Sequence, residues 1–154
     1  TQLRSVIEEA IYLCQIQAQQ KHIQLEIICP DDLEILINAP LLEQVIVNLI
    51  INAMKYSDPN KKVMILAEQQ GESVKIFVQD EGFGIEHKHL ERLFERFYRV
   101  DTARSRKMGG TGLGLSIVKH IVQAHEGTIR VESKLGAGTT FIITLPNNSE
   151  SLPE

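Results

Sequence analysis

Between Asn38 and Tyr56 the chain is apolar at Leu41, Leu42, Val45, Ile46, Val47, Leu49, Ile50, Ile51, Ala53 and Met54. A helix that is apolar on nearly every side has to be buried by other elements. At 100° per residue, Gln44, Asn48, Asn52 and Lys55 fall within a wedge of about 80°, a single polar stripe on that helix. One reading of the stripe is a solvated face. Such faces normally use Glu, Lys and Gln, which favour helix, whereas Asn does not. The other reading is a site. Two Asn on adjacent turns offer carbonyl oxygens of the kind a hard cation such as Mg²⁺ accepts beside water and substrate phosphates, and Lys55 could meet a phosphate. Asn38 can cap this helix, Pro40 suits its first turn, and Ser57-Asp58-Pro59-Asn60 ends it.

Around it the periodicity switches repeatedly. Leu3, Val6, Ile7, Ala10, Ile11 and Cys14 predict a helix over residues 2 to about 20. Strands are predicted at Ile23–Cys29, Glu34–Ile37, Val63–Glu68, Ser73–Gln79, Thr128–Ser133 and Thr139–Leu145. A short helix is predicted over Lys88–Phe94, a loop over Arg99–Thr111, and a third long helix from Gly112 to about His125, stopped by Gly127. This order predicts an α/β two-layer sandwich, with three main helices on one face of a mixed, mainly antiparallel sheet. Residues 1–146 would form the domain and 147–154 a polar tail. The chain opens at Thr1 inside a helical pattern and closes in polar residues, so both ends are expected to be edges of a fragment.

Eight of the ten glycines fall in three clusters. Asp80-Glu81-Gly82-Phe83-Gly84 puts a carboxylate at a strand end, where glycines let backbone approach a ligand. A buried acceptor there can read the amino group of adenine, while the plainer reading is a tight turn with a capping Asp. Gly109-Gly110-Thr111-Gly112-Leu113-Gly114-Leu115 opens a helix, whose free N–H groups and dipole favour phosphate. It lacks the Lys-Ser/Thr of a Walker loop and the leading strand of a dinucleotide fingerprint. Gly136-Ala137-Gly138-Thr139-Thr140-Phe141 alone reads as a hairpin turn. Their concentration makes a shared ligand more plausible than three unrelated turns.

A net charge of −4 argues against broad nucleic-acid binding, which wants a basic surface. No apolar run reaches the ~20 residues that span a bilayer, and no signal peptide opens the chain. Cys14 and Cys29, without CxxC spacing, read as buried reduced thiols. The expectation is a cytoplasmic domain making no direct membrane contact.

These residues resemble a known family. Asn48-Leu49-Ile50-Ile51-Asn52-Ala53-Met54-Lys55-Tyr56-Ser57 looks like the N box of sensor histidine kinases, and Asp80–Gly84 like their first glycine box. Phe94-Glu95-Arg96-Phe97-Tyr98-Arg99 looks like the F box, Gly109–Leu115 like the second glycine box and Gly136–Phe141 like the third. The boxes come in the family's order and spacing and cover nearly the whole chain. The run Arg96–Arg106 is similar to phosphate-regulon-type kinases.

The resemblance implies the Bergerat ATP-binding fold, with ATP and Mg²⁺ as ligands. It implies that Asn48 and Asn52 face Mg²⁺ and the phosphates, with Asn52 the main metal ligand. Lys55 would contact phosphate, Tyr56 would lie near the nucleotide, Asp80 would accept from the adenine amino group, and Gly82 and Gly84 would line the base pocket. Gly110, Thr111, Gly112, Leu113, Gly114 and Leu115 would shape the phosphate end, Thr140 would sit near the adenine, and Arg96 would stabilise the γ-phosphate. Residues Arg99–Thr111 would form a lid carrying Arg104, Arg106 and Lys107, anchored by Phe94 and Phe97. The catalytic trio implied is Asn48, Lys55 and Arg96. The acceptor would be a histidine on a separate dimerisation domain, since none of His22, His87, His89, His120 and His125 has the acceptor's sequence context. A response regulator and a membrane-anchored parent kinase are implied as well. The main rival is a gyrase- or chaperone-type ATPase. Such enzymes carry a Glu base where this chain has Asn48, and Glu43 points about 100° away from the stripe.

Overall fold

The computed structural model describes residues 1–90, 92–95 and 114–147. In chain order the elements are α1 (Leu3–Lys21), β1 (Gln24–Ile28), α2 (Ala39–Lys55), β2 (Lys62–Gln70), β3 (Ser73–Asp80), α3 (His87–Leu90), α4 (Gly114–Ala124), β4 (Thr128–Lys134) and β5 (Gly138–Pro146). The boundaries of α2 follow its local chemistry. The Asn38 side chain accepts the Leu41 N–H over 3.1 Å, and Pro40 occupies the first turn, where its missing N–H costs nothing. At the other end the Lys21 ammonium donates to the carbonyls of Met54 and Lys55, complementing the negative end of the helix dipole.

The strands form one sheet in the order β1-β2-β3-β5-β4. Only β1 and β2 run parallel, joined through α2; the other pairs are antiparallel. The last of the described strands, β5, therefore lies inside the sheet, between β3 and β4. Alternation along the strands sends Val63, Ile65 and Ala67, then Val74, Ile76 and Val78, then Phe141, Ile143 and Leu145 into the core. Helix α2 covers them, flanked by α1 and α4. Its residues Leu42, Val45, Ile46, Leu49, Ile50, Ala53 and Met54 are buried, as the near-continuous apolar run requires. Each fully buried Leu or Ile side chain contributes about 1.5–3 kcal/mol relative to exposure.

Three sequence expectations need adjustment. Glu34–Ile37 is not a sheet strand. Glu34 makes one antiparallel bridge to Gln2, and Ile35 N–H donates to Thr1 O, so this segment pairs with the start of the chain instead. Of the short helix expected after the first glycine box the described residues include His87–Leu90, and Arg92–Phe94 is a turn. Asn147 belongs to the folded unit: its N–H donates to Glu72 O, and its side-chain amide to Glu34 O and Gln69 Oε1. Cys14 and Cys29 are free and buried, and burial pushes the Cys14 thiol up to about 11, so it stays protonated and inert.

Candidate functional site

The pairing register carries Val63 (β2), Asp80 (β3), Thr139 (β5) and Ser133 (β4) to one end of the sheet, on its helix-facing side. Apolar side chains fill that face further along, and the row of Asp80, Thr139 and Ser133 is its polar end. Asp80 is 4% exposed. Its Oδ1 accepts the Gly82 N–H at 2.8 Å and the Thr139 N–H at 3.1 Å. Its Oδ2 takes no hydrogen bond from the described residues, which leaves it as an acceptor for a ligand donor. Burial pushes the carboxyl up to about 6, and the two backbone N–H groups act against that rise.

Glycine is required at three points around this carboxylate. A Cβ on Gly82 would lie 2.1 Å from Tyr56 O, and one on Gly138 would lie 2.3 Å from Asp80 O. Gly84 has φ +79°, and a Cβ there would lie 2.2 Å from Lys134 O. The loop after Asp80 thus lies directly on the end of α2 and on the β4–β5 turn. Phe83 N–H donates to Tyr56 O, Gly136 N–H to Phe83 O, and Ile85 N–H to Ser133 Oγ at 2.8 Å. The Tyr56 and Phe83 rings meet edge-on at 5.7 Å.

On α2, Asn48, Asn52 and Lys55 are half-buried, while Gln44 is exposed. Neither Asn48 nor Asn52 spends its side-chain amide on a partner among the described residues. A Cβ on Gly114 would lie 4.0 Å from Asn48 Oδ1, so the described start of α4 faces the stripe. Leu115 packs against the core. Lys55 Nζ lies 6.0 Å from the Tyr56 ring centroid. Phe94 of the F box packs edge-on against the core ring of Phe141 at 6.3 Å, which suits an anchoring role.

The structure therefore gathers Asp80, Gly82, Gly84 and Tyr56 into one cluster, and sets Asn48 beside Gly114. Thr140 is placed differently from expectation. It pairs with Gln79 and Glu132 on the sheet face away from the helices, whereas Thr139, 3% exposed, sits beside Asp80. The signal was present in the alternation Thr139, Phe141, Ile143, Leu145, which assigns Thr139 to the core side. Ser133 was missed as well, although its spacing from Ile129 and Val131 points the same way. Arg96, Gly110, Thr111, Gly112, Leu113 and the proposed lid lie outside the described residues.

Residues 37–149 match the family described as histidine kinase-, DNA gyrase B-, and HSP90-like ATPase. The chain belongs to this family. Over 142 residues it is 43% identical to the sensor-like histidine kinase SenX3 of Mycobacterium tuberculosis, covering 92% of this chain and 35% of SenX3. It is 46% identical over 135 residues to the sensor histidine kinase WalK of Bacillus subtilis, covering 86% of this chain and 22% of WalK. The chain thus spans about a third or less of these relatives. The catalytic domain of histidine kinase ThkA superposes with a TM-score of 0.84 at 28% identity, covering 97% of this chain and 95% of that one. The histidine-kinase catalytic fold accounts for the mixed sheet with its helices on one side. This kinase domain is an ATP-binding catalytic domain of the sensor histidine kinase kind. No described helix is long and apolar enough to cross a membrane.

Proposed function

We infer that this domain binds ATP with Mg²⁺ and presents the γ-phosphoryl group to a histidine nitrogen on a separate helical domain of the same kinase. The observation that carries the reading is the Asp80 carboxylate, buried, held by two backbone N–H groups through one oxygen and open at the other. Such an acceptor suits the amino group of adenine and disfavours a ring carbonyl at the same place. Gly82, Gly84 and Gly138 keep the backbone close around it, with Tyr56 beside the loop.

The donors for the phosphate end are the α2 stripe and the start of α4. Among the described residues no group of three or more His, Cys, Asp or Glu could hold a metal. Amide oxygens shared with substrate phosphates and water suit Mg²⁺, which keeps much of its hydration; Asn52 is the main candidate ligand, with Asn48 beside it. When bound, the ion neutralises phosphate charge. Lys55 adds a second positive charge at the end of the same stripe. Phosphoryl transfer asks for positioning and charge neutralisation rather than covalent help, and these groups provide both. Arg96 is assigned to the γ-phosphate by resemblance alone.

Hydrolysis is disfavoured as the main activity. A water nucleophile needs a base, and the sole carboxylate of α2 is Glu43, off the stripe. The ThkA structure solved with the response regulator TrrA superposes at a TM-score of 0.80 and 25% identity, with this chain covering 42% of that one. A response regulator is accordingly the downstream partner proposed for the parent protein, which we place as a membrane-anchored sensor with this domain on the cytoplasmic side.

A thermal melt with ATP and Mg²⁺, against GTP as control, tests the base pocket. Ligand at 100 times its Kd adds about 2.7 kcal/mol, or roughly 5–10 °C at this size. Stabilisation by ATP but not GTP is expected; equal shifts, or none at millimolar nucleotide, would overturn the reading. Phosphate transfer from ATP to a histidine-bearing dimerisation domain added in trans then tests the reaction.

A further inference from the structure

Ser133 has three polar neighbours and a single proton. Its Oγ accepts the Ile85 N–H at 2.8 Å, lies 3.1 Å from Gly138 O and 2.7 Å from Thr139 Oγ1. A serine hydroxyl offers one donor and two acceptor positions. Gly138 O can only accept, so the Ser133 proton goes there. The Ile85 N–H fills one acceptor position and the Thr139 hydroxyl, donating, fills the other. All three contacts are satisfied in this arrangement alone. If Ser133 donated to Thr139 instead, its contact with Gly138 O would be lost.

Two consequences follow. The Thr139 hydroxyl has its proton committed away from Asp80, so its lone pairs remain for a donor. The one serine also fastens together the loop after the first glycine box, through Ile85, and the β4–β5 turn, through Gly138 and Thr139. These are the segments whose N–H groups, from Gly82 and Thr139, hold Asp80 Oδ1.

We propose that Ser133 is a positioning residue for base recognition, joining the first and third glycine loops around Asp80 and orienting the Thr139 hydroxyl as a second acceptor beside it. This rests on the reading of the Asp80 pocket as the adenine site. Ser133 touches no nucleotide in this scheme; it acts through Thr139 and Asp80.

The test is ATP and GTP binding to the domain by calorimetry with Mg²⁺, for the parent and for Ser133→Ala and Ser133→Thr. Ser133→Ala is expected to weaken ATP about tenfold, or roughly 1.4 kcal/mol, and to lower the ATP-to-GTP affinity ratio by the same factor. Ser133→Thr keeps the hydroxyl and is expected to bind within about threefold of the parent. A residue that merely supports the fold would lower the melting temperature without changing that ratio. Should the alanine variant fail to fold, near-isosteric Ser133→Cys carries the same test, since its sulfur accepts poorly. Unchanged ATP affinity in Ser133→Ala or Ser133→Cys, or failure of Ser133→Thr to restore it, would overturn the role of Ser133 and leave the adenine site standing. Absence of ATP binding by the parent would overturn the site itself, and this inference with it.

Discussion

The Thr139 backbone N–H points at Asp80 Oδ1 from 3.1 Å, and the two residues lie 59 positions apart in the chain. The contact fixes the rotamer of a carboxylate whose burial disfavours its charge. A carboxyl raised from 3.8 to about 6 on folding costs the ionised fold roughly 3 kcal/mol.

The sign of that cost gives the first prediction. Between pH 4 and 6 the folded state binds more protons at Asp80 than the unfolded chain, so stability falls with rising pH across that window and stays lower above it. Asp80→Asn removes the titration while its side-chain oxygen still accepts both N–H bonds. The ligand-free variant is expected to melt higher than the parent at pH 8, with the gap closing towards pH 4, and to lose its response to ATP. A variant that melts lower at pH 8 would contradict this account of Asp80.

Nucleotide binding should act on the same proton. An ionised carboxylate accepting the adenine amino group favours deprotonation, so ATP affinity should rise with pH through about 6 and then level off. Following the Asp80 side-chain carbon by NMR should give a midpoint near 6 without ligand, and a lower one with ATP. A midpoint insensitive to ATP would remove Asp80 from the contact.

The glycines separate contact from conformation. A Cβ on Gly136 meets nothing within 4 Å, although its φ is +81°. Gly136→Ala is expected to cost about 1–2 kcal/mol of stability, with ATP affinity preserved at temperatures where the variant is folded. Gly82→Ala meets backbone at 2.1 Å and should lose ATP binding by more than tenfold, because the loop has to leave Tyr56 and Asp80. Equal binding losses for both, measured by calorimetry, would argue against a close-packed loop.

The two threonines of the β4–β5 hairpin should behave oppositely. Thr140→Val alters the outer sheet face and is expected to leave ATP affinity within about twofold. Thr139→Val removes the hydroxyl paired with Ser133 and should weaken ATP by about tenfold, the loss of one hydrogen bond to the base. The reverse ranking would return Thr140 to the base pocket.

Metal dependence tests the α2 stripe. In Asn52→Ala, ATP affinity with Mg²⁺ should fall to the level seen with chelator, while affinity in chelator stays near that of the parent. Retained Mg²⁺ dependence would exclude Asn52 as a ligand.

Much of this was legible in the residues. The helix over 39–55 was readable because its cap, its proline and its apolar run agree. The DxGxG loop was readable because carboxylate and glycines adjoin in sequence. Glu34–Ile37 misled because Leu33 and Ile35 are buried in strand-like alternation while their backbone pairs with the chain start, a non-local fact. Thr140 is expected near the adenine from its place in a motif, whereas the two-residue period of the strand puts Thr139 on the core side beside Asp80. The role of Ser133 depends on three neighbours 5, 6 and 48 positions away, and no local pattern encodes that.

The interior position of β5 has a consequence for how the domain is made. Asp80 and the whole of α2 leave the ribosome long before Thr139, yet the pocket has no second wall until β5 slots between β3 and β4. With the Asp80 pocket as the proposed ATP site, nucleotide would stabilise only a domain in which β5 is already paired between β3 and β4.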